Sequence, residues 1–269
     1  MTGEPPRLVL ASLSGEADAR WARDGSLWAD LAMLGGIALD AESREAARQL
    51  VARDRSEFLP PDPLVFVDVQ LAALADTPIR AGMNVRSATV EPVRAAARVC
   101  AAHDAVVEVN AHCRQAELCE VGCGETLLRD TDRLCAFVSA AAAEGAAVSV
   151  KVRTAVDGVD LAETARRVDA AGAVLFHVDA MDSEGVIRDV ADAAPDLFLV
   201  ANNGVRDRDT VTEYLAYGAD AVSVGRPSTD PRVLQRVRRA VDDWFATREG
   251  QSAEPTDVDL PTAPDADAG

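Results

Sequence analysis

The feature that most constrains this chain is an alternation. Eight short apolar runs, rich in β-branched residues, are separated by longer stretches with helical spacing. The runs are Arg7–Leu13, Leu34–Leu39, Ile79–Val85, Ala105–Asn110, Ala147–Arg153, Ala173–Val178, Leu197–Asn202 and Ala221–Gly225. Several are apolar without a break, as a strand covered on both faces requires. The helical stretches are Glu42–Asp54, Val90–Ala102, Asp130–Glu144, Asp160–Ala171, Ser183–Ala193, Asp207–Tyr217 and Pro231–Thr247. Many open on Asp, Ser or Thr and close near Gly, the residue types that cap helix ends. Trp21–Asp30 supplies a first helix. Pro63–Leu74 reads as an inserted helix, although its local pattern also fits a strand.

Eight strands alternating with helices predict an α/β fold, a (β/α)8 TIM barrel over residues 1–249. The alternative is an open doubly wound sheet. No G-x-G-x-x-G follows the first strand, which weighs against a dinucleotide fold. Residues 250–269 are rich in Asp, Pro and Ala and are expected to form a disordered acidic tail.

Composition bounds the setting. With 269 residues and 48% hydrophobic content the chain can bury a proper core, and the 4% aromatic share suits Ala/Val-rich helices and parallel strands better than a sandwich. No stretch of about 18 apolar residues is free of charge, so no membrane span is expected. The opening residues lack the basic start and long apolar run of a signal peptide. Five cysteines, an odd number, suggest free thiols in a reducing cytoplasm. The net charge is −18, and all but one of the 27 cations are Arg. Such acidity argues against a nucleic-acid footprint on its face. A dense carboxylate surface with a single Lys also fits a halophilic protein, because at 1 M salt the Debye length falls to about 3 Å and self-repulsion is screened. The second reading is favoured, and on it the charge reports habitat and not partners.

In a (β/α)8 barrel the reacting groups lie at the C-terminal strand ends, and phosphate lies at the loops after strands seven and eight. Those loops carry Asn203-Gly204-Val205 and Gly225-Arg226. Glycine lets backbone amides approach a phosphate, and Arg226 can grip it with two prongs. Lys151 ends strand five, and Arg153 shares its face. In a chain that uses Arg nearly everywhere else, a compact ammonium at that place suggests function. His177 lies near the end of strand six, where a barrel-mouth role and a hydrogen-bonded core role are both open. The segment after strand four holds His112, Cys113, Cys119 and Cys123. The spacings are not the tight pairs of zinc sites, so no metal is expected, although a cluster stays open. The other reading is one reactive thiol, which at an ordinary pKa of about 8.5 is protonated and can donate a proton.

Several of these motifs resemble the tRNA-dihydrouridine synthases. Asn110-x-x-Cys113 followed by Gly122-Cys123-Gly124-Glu125-Thr126 is similar to that family's active loop. Val150-Lys151-Val152-Arg153, His177, Asn203-Gly204 and Gly218-Ala219-Asp220-Ala221 through Gly225-Arg226 follow in the family's order. Ser12-Leu13-Ser14 resembles its first flavin-contacting turn, and Asn84 stands where the family usually carries Gln. The resemblance implies FMN at the barrel mouth, its phosphate at the Gly204-Val205 and Gly225-Arg226 loops. It implies Lys151 near the flavin pyrimidine, stabilising the reduced anionic ring, with His177, Asn84 and Asn203 as further polar contacts. NADPH or NADH would reduce the flavin, hydride would pass to carbon 6 of a uracil in tRNA, and Cys113 would protonate carbon 5. The uridine would leave its stack to reach the flavin.

Other functions stay in view: an FMN oxidoreductase of the dihydroorotate dehydrogenase kind on a free pyrimidine, a non-catalytic barrel used for binding, and a colourless phosphate-binding barrel with Lys151 as Schiff-base nucleophile.

Overall fold

The structure is a computed structural model and describes residues 4–252. The eight strands are β1 (Leu8–Leu10), β2 (Leu31–Ala38), β3 (Arg80–Arg86), β4 (Val106–Asn110), β5 (Ala147–Arg153), β6 (Leu175–Asp179), β7 (Phe198–Asn202) and β8 (Ala221–Val224). All pair in parallel with their sequence neighbours, and β1 returns to β8 through Leu8↔Val222, Val9↔Ser223 and Leu10↔Val224. The closed barrel is the expected fold.

The helices are α1 (Ala19–Gly25), α2 (Ala41–Val51), α3 (Pro63–Ala72), α4 (Val90–Ala102), α5 (Ala116–Glu120), α6 (Glu125–Arg129), α7 (Thr131–Ala142), α8 (Leu161–Ala170), α9 (Val186–Ala193), α10 (Arg208–Ala216) and α11 (Pro231–Ser252). Aspartate opens many of them. Asp18, Asp40, Asp62, Asp130, Asp160 and Asp207 each accept a backbone N–H of the first turn. Negative charge there also meets the positive end of the helix dipole. The Asp62 cap and Pro63 in the first turn settle the ambiguous 63–74 stretch as helix. Helix α11 runs three residues past the expected domain boundary at 249. Residues 1–3 and 253–269, and with them most of the expected tail, lie outside the described residues.

Strand β2 begins three residues earlier than its apolar run suggests, and α1 ends sooner. Asp30 is the cause. Its Oδ2 accepts the backbone N–H of Arg7 (2.8 Å) and Leu8 (2.9 Å) and lies 3.0 Å from Arg238 Nη1. Those bonds fix the chain at the barrel's lower rim, so Leu31-Ala32-Met33 enters the sheet directly after Asp30.

Two apolar layers result. The larger lies between sheet and helices. The smaller fills the barrel's lower interior with Val9, Leu31, Met33, Val106, Leu175, Val200 and Ala221. Side chains alternate along a strand, so every second residue points inward. Stepping by two toward the C-terminal ends, Val106 leads to Glu108 and Asn110, Ala147 to Ser149 and Lys151, and Leu175 to His177 and Asp179. The interior is therefore apolar at its floor and polar at its mouth.

Candidate active site

Glu108 is the hub of the polar layer. Its side chain is fully buried. Oε1 accepts from Asn84 Nδ2 at 2.7 Å, and Oε2 accepts from Ser149 Oγ at 3.1 Å and from His177 Nδ1 at 2.8 Å. Burial pushes this carboxyl up, but His177, Lys151 and the Asn84 amide outweigh it and hold it at about 2. Asn110 Nδ2 donates to Asn84 Oδ1 at 2.8 Å, and Asn110 Oδ1 accepts the backbone N–H of Cys113 at 3.0 Å. His177 Nε2 lies 2.8 Å from Ser223 Oγ, so both ring nitrogens are engaged. Burial, with Lys151 nearby, lowers the pKa of that ring. Asn84 and His177 are thus placed at the mouth, inside the hydrogen-bonded layer beneath its surface.

Lys151 ends β5 and is 4% exposed. Its Nζ donates to Ser12 Oγ, 3.4 Å away, just beyond β1. Four strands around an eight-stranded barrel is the opposite wall, so the side chain crosses the mouth. It lands beside the seam with β8, where Ala11 N donates to Val224 O at 2.9 Å. Gly225 comes next in the chain. The single ammonium and the late glycine turn therefore meet at one rim.

The loops after β7 and β8 leave room above that rim. A Cβ added at Gly225 would meet nothing within 4 Å, and one at Gly204 would meet only Arg206 Nη1, at 3.9 Å. Asn203 and Gly204 both have positive φ, at 91° and 69°. Few residues other than glycine adopt that region, and Asn is among those that do. Here Asn203 Nδ2 donates to Asp179 Oδ1 at 2.7 Å, and the Tyr214 hydroxyl donates to the Asn203 carbonyl at 2.9 Å. Val205 is buried in the outer core, so only its backbone faces the loop. Arg226 is exposed at the start of a short 3-10 turn, Arg226–Thr229, which Trp21 Nε1 anchors through Ser228 Oγ at 3.1 Å. Leu13 turns the chain after β1, its carbonyl accepting from the N–H of Ala17 at 2.9 Å.

Cys113 sits after β4 and is 6% exposed. The loop beyond it folds back on its backbone. A Cβ at Gly124 would stand 2.0 Å from the Cys113 carbonyl oxygen, and Glu125 N donates to that same oxygen at 2.8 Å. Only glycine fits that approach, and its φ of 57° suits glycine as well. Burial pushes the Cys113 thiol up, but Arg86 and His112 pull it down further, to about 7. By contrast burial pushes the Cys100 and Cys123 thiols up to about 12. Cys123 packs with Ala46, Leu50 and Leu118, and Cys119 Sγ lies 3.5 Å from the Cys113 carbonyl. Among the described residues no three His, Cys, Asp or Glu side chains gather as metal ligands.

The site contains residues that sequence reasoning missed. Glu108 lay hidden in the run Val106–Asn110. Its signal is a lone carboxylate mid-strand, in phase with Asn110. Arg86 ends β3 and is buried against Glu57, with Nη1 to Oε2 at 2.6 Å, and also contacts Ser14 Oγ. Arg86 Nε is buried without a partner among the described residues. Arg153 Nη1 lies 3.1 Å from Glu125 Oε1, fastening the Cys113 loop to β5. The two short helices α5 and α6 of that loop were also unforeseen.

These residues suit a flavin mononucleotide. The open glycine turns offer backbone to a phosphate, Arg86 keeps a buried nitrogen without a partner among the described residues, and Lys151 has donors to spare beyond its long bond to Ser12.

The fold is shared widely. The chain is similar to DHODH of Eimeria tenella, solved in complex with ferulenol, at 15% identity and a TM-score of 0.64, over 90% of this chain and 82% of that one. Thiamine phosphate pyrophosphorylase of Pyrococcus furiosus matches at 12% identity and a TM-score of 0.52, over 88% and 96%. At such identities the likeness is one of fold. The protein MJ0144 of Methanocaldococcus jannaschii, described as uncharacterized, is 24% identical over 233 residues, which are 82% of this chain and 88% of that protein. Among the described residues no helix is long and apolar enough to cross a membrane. The family model for dihydrouridine synthase matches residues 83–255, from β3 through the last helix and including Cys113, Lys151 and His177, and the chain belongs to that family of flavin oxidoreductases.

Proposed function

We propose that the protein reduces the carbon 5–carbon 6 double bond of uridine in tRNA to give dihydrouridine, with FMN at the barrel mouth and NADPH or NADH as reductant. The observation that carries this reading is the pairing, on one rim, of a thiol drawn to about 7 with the chain's single ammonium. Bound FMN supplies the hydride for carbon 6. Lys151 would hold negative charge on the flavin's pyrimidine edge, where a fixed cation in a mouth poor in water stabilises it most. Backbone at Gly204, Val205 and Gly225, with Arg226, would hold the phosphate; Ser12, Leu13 and Ser14 would border the ring. Asn203 would add a polar contact, and Asn84 and His177 would support Lys151 from below through Glu108. Cys113 gives its proton to carbon 5, and Arg86 stabilises the thiolate that remains.

The mouth supports this substrate over a free pyrimidine acid. Arg86, which acts on Cys113, and Arg153, two residues beyond Lys151 on β5, are each matched by a glutamate, Glu57 and Glu125. A carboxylate ligand would find those guanidinium groups already neutralised. Mass spectrometry of tRNA nucleosides from cells with and without this gene tests the reading. Loss of dihydrouridine on deletion is the expected result; an unchanged nucleoside profile refutes it.

A further inference from the structure

His112 precedes Cys113 and makes two contacts of different kinds. Its Nε2 lies 2.7 Å from Asp179 Oδ2. The other carboxylate oxygen of Asp179 accepts from Asn203 at 2.7 Å, so the carboxylate is fixed from two sides. A carboxylate only accepts, so Nε2 carries the hydrogen and Nδ1 is the nitrogen left over. The ring is next to Cys113 in the chain and interacts with its thiol, the two groups shifting each other's pKa. Thiol, imidazole and carboxylate thus form one cluster, with the ring oriented by Asp179, the arrangement by which an acid or nucleophile is served by a base that a third group orients. Exposure grades the same way: Cys113 is 6% exposed, whereas the His112 side chain is 27% exposed. The ring is the more exposed of the two groups.

We propose, resting on the reductase reading of this mouth, that His112 is the proton relay that reloads Cys113 between turnovers and that Asp179 is its positioning residue. Once carbon 6 has its hydride, the Sγ–H bond breaks and the proton goes to carbon 5. A thiolate is left. Protonated His112 then gives its Nδ1 proton to Sγ and regains one from water. The uracil ring has gained one hydride and one proton, and the protein is unchanged.

The surrounding charges fit this sequence. Arg86, from β3, favours the thiolate at the moment it forms, while Glu57, paired with Arg86, tempers that pull. Cys123, on the same loop, also faces Arg86. Burial opposes protonation of His112 most, and Lys151, from β5, opposes it too, but Asp179 and the Cys113 sulfur together outweigh both and raise the ring's pKa.

Alkylation of Cys113 by iodoacetamide, followed against pH in the flavin-loaded protein and mapped to the residue by peptide mass spectrometry, tests this. The wild-type midpoint is expected near 7, and His112→Gln should move it upward and slow alkylation at neutral pH by about tenfold or more, since only the thiolate reacts. Asp179→Asn should act in the same direction and by less. An unmoved midpoint in a folded His112→Gln protein overturns the proposal. Should that variant not fold, a wild-type midpoint at the ordinary thiol value of about 8.5 overturns it equally. A midpoint that moves in a protein without any effect on tRNA uridine defeats the reductase reading and leaves the relay's chemistry in place.

Discussion

The floor and the mouth of the barrel interior are made by the same strands, two residues apart, and they are held by different physics. At the floor, Val106, Leu175 and their neighbours gain from leaving water and from close packing, with no partner specified by direction. At the mouth, Glu108, His177, Asn84, Ser149 and Ser223 are equally buried, but each polar atom needs a particular donor or acceptor. A buried polar group left without its partner costs several times what a hydrogen bond contributes. The floor therefore tolerates any apolar residue of similar volume, whereas the mouth tolerates few substitutions. A barrel built this way keeps its stability and its chemistry on separate rungs.

Single substitutions at the two ends should come apart completely. Cys113→Ala is expected to lower uridine reduction by about 10²–10⁴-fold, the usual share of a positioned proton donor, while flavin binding and the unfolding midpoint stay near wild type. Leu175→Ala should do the reverse, costing about 2–5 kcal/mol in urea unfolding with turnover per folded molecule retained. Turnover and unfolding curves measured on both proteins check this. Unfolding of Cys113→Ala at much lower urea would erase the separation of chemistry from stability.

That separation also explains what was legible beforehand. All eight strands can be read from the apolar runs, because a parallel strand buried on both faces leaves a continuous signal. Lys151 stood out because the chain has only one lysine, and the glycine turns stood out because the barrel assigns them a place. Glu108 was missed because its meaning lies in neighbours from other strands: Asn84 is 24 residues away and His177 is 69. Arg86 and Glu57 are separated by 29. Such pairings depend on barrel register, which no local pattern encodes. The loop helices α5 and α6 were missed for a related reason. They are five residues long, below the length at which periodicity can be recognised, and Gly124 holds their geometry through a backbone approach to Cys113.

A smaller effect sharpens the comparison within the mouth itself. Lys151→Ala removes the cation that crosses from β5 to Ser12 and should slow flavin reduction by reduced nicotinamide on the order of a hundredfold. Lys151→Arg keeps the charge but replaces a compact ammonium with a planar fork, so it should recover only part of the rate. Stopped-flow bleaching of the flavin reads both. Equal rates in all three proteins would remove Lys151 from the site and leave it a structural residue.

Acid offers the finest distinction, because the floor has no group to titrate. Glu108 is held at about 2 against an ordinary 4.5, and Asp179 is held below its ordinary 3.8 by His112 and Asn203 in spite of burial. Each carboxylate therefore contributes stability that is fully present above its unfolded value and is lost as pH falls toward the folded one. For Glu108 the whole contribution is on the order of 3 kcal/mol, with a slope of about 1.4 kcal/mol per pH unit per proton. The two histidines act at higher pH and in opposite senses. Burial lowers His177, so its contribution is present above about 6.5 and lost below; Asp179 raises His112, so its contribution is present below about 6.5 and lost above. Stability should accordingly fall steeply from about pH 4.5 down to about pH 2, as Glu108 takes up its proton. Urea unfolding across that range checks the profile. In Glu108→Gln the acid limb should lose about one proton of slope, while in Leu175→Ala the whole curve should drop with its slope intact. If Leu175→Ala changed the slope, floor and mouth would be coupled through the strands they share; if Glu108→Gln left it unchanged, the carboxylate would not be the charged hub its four neighbours make it.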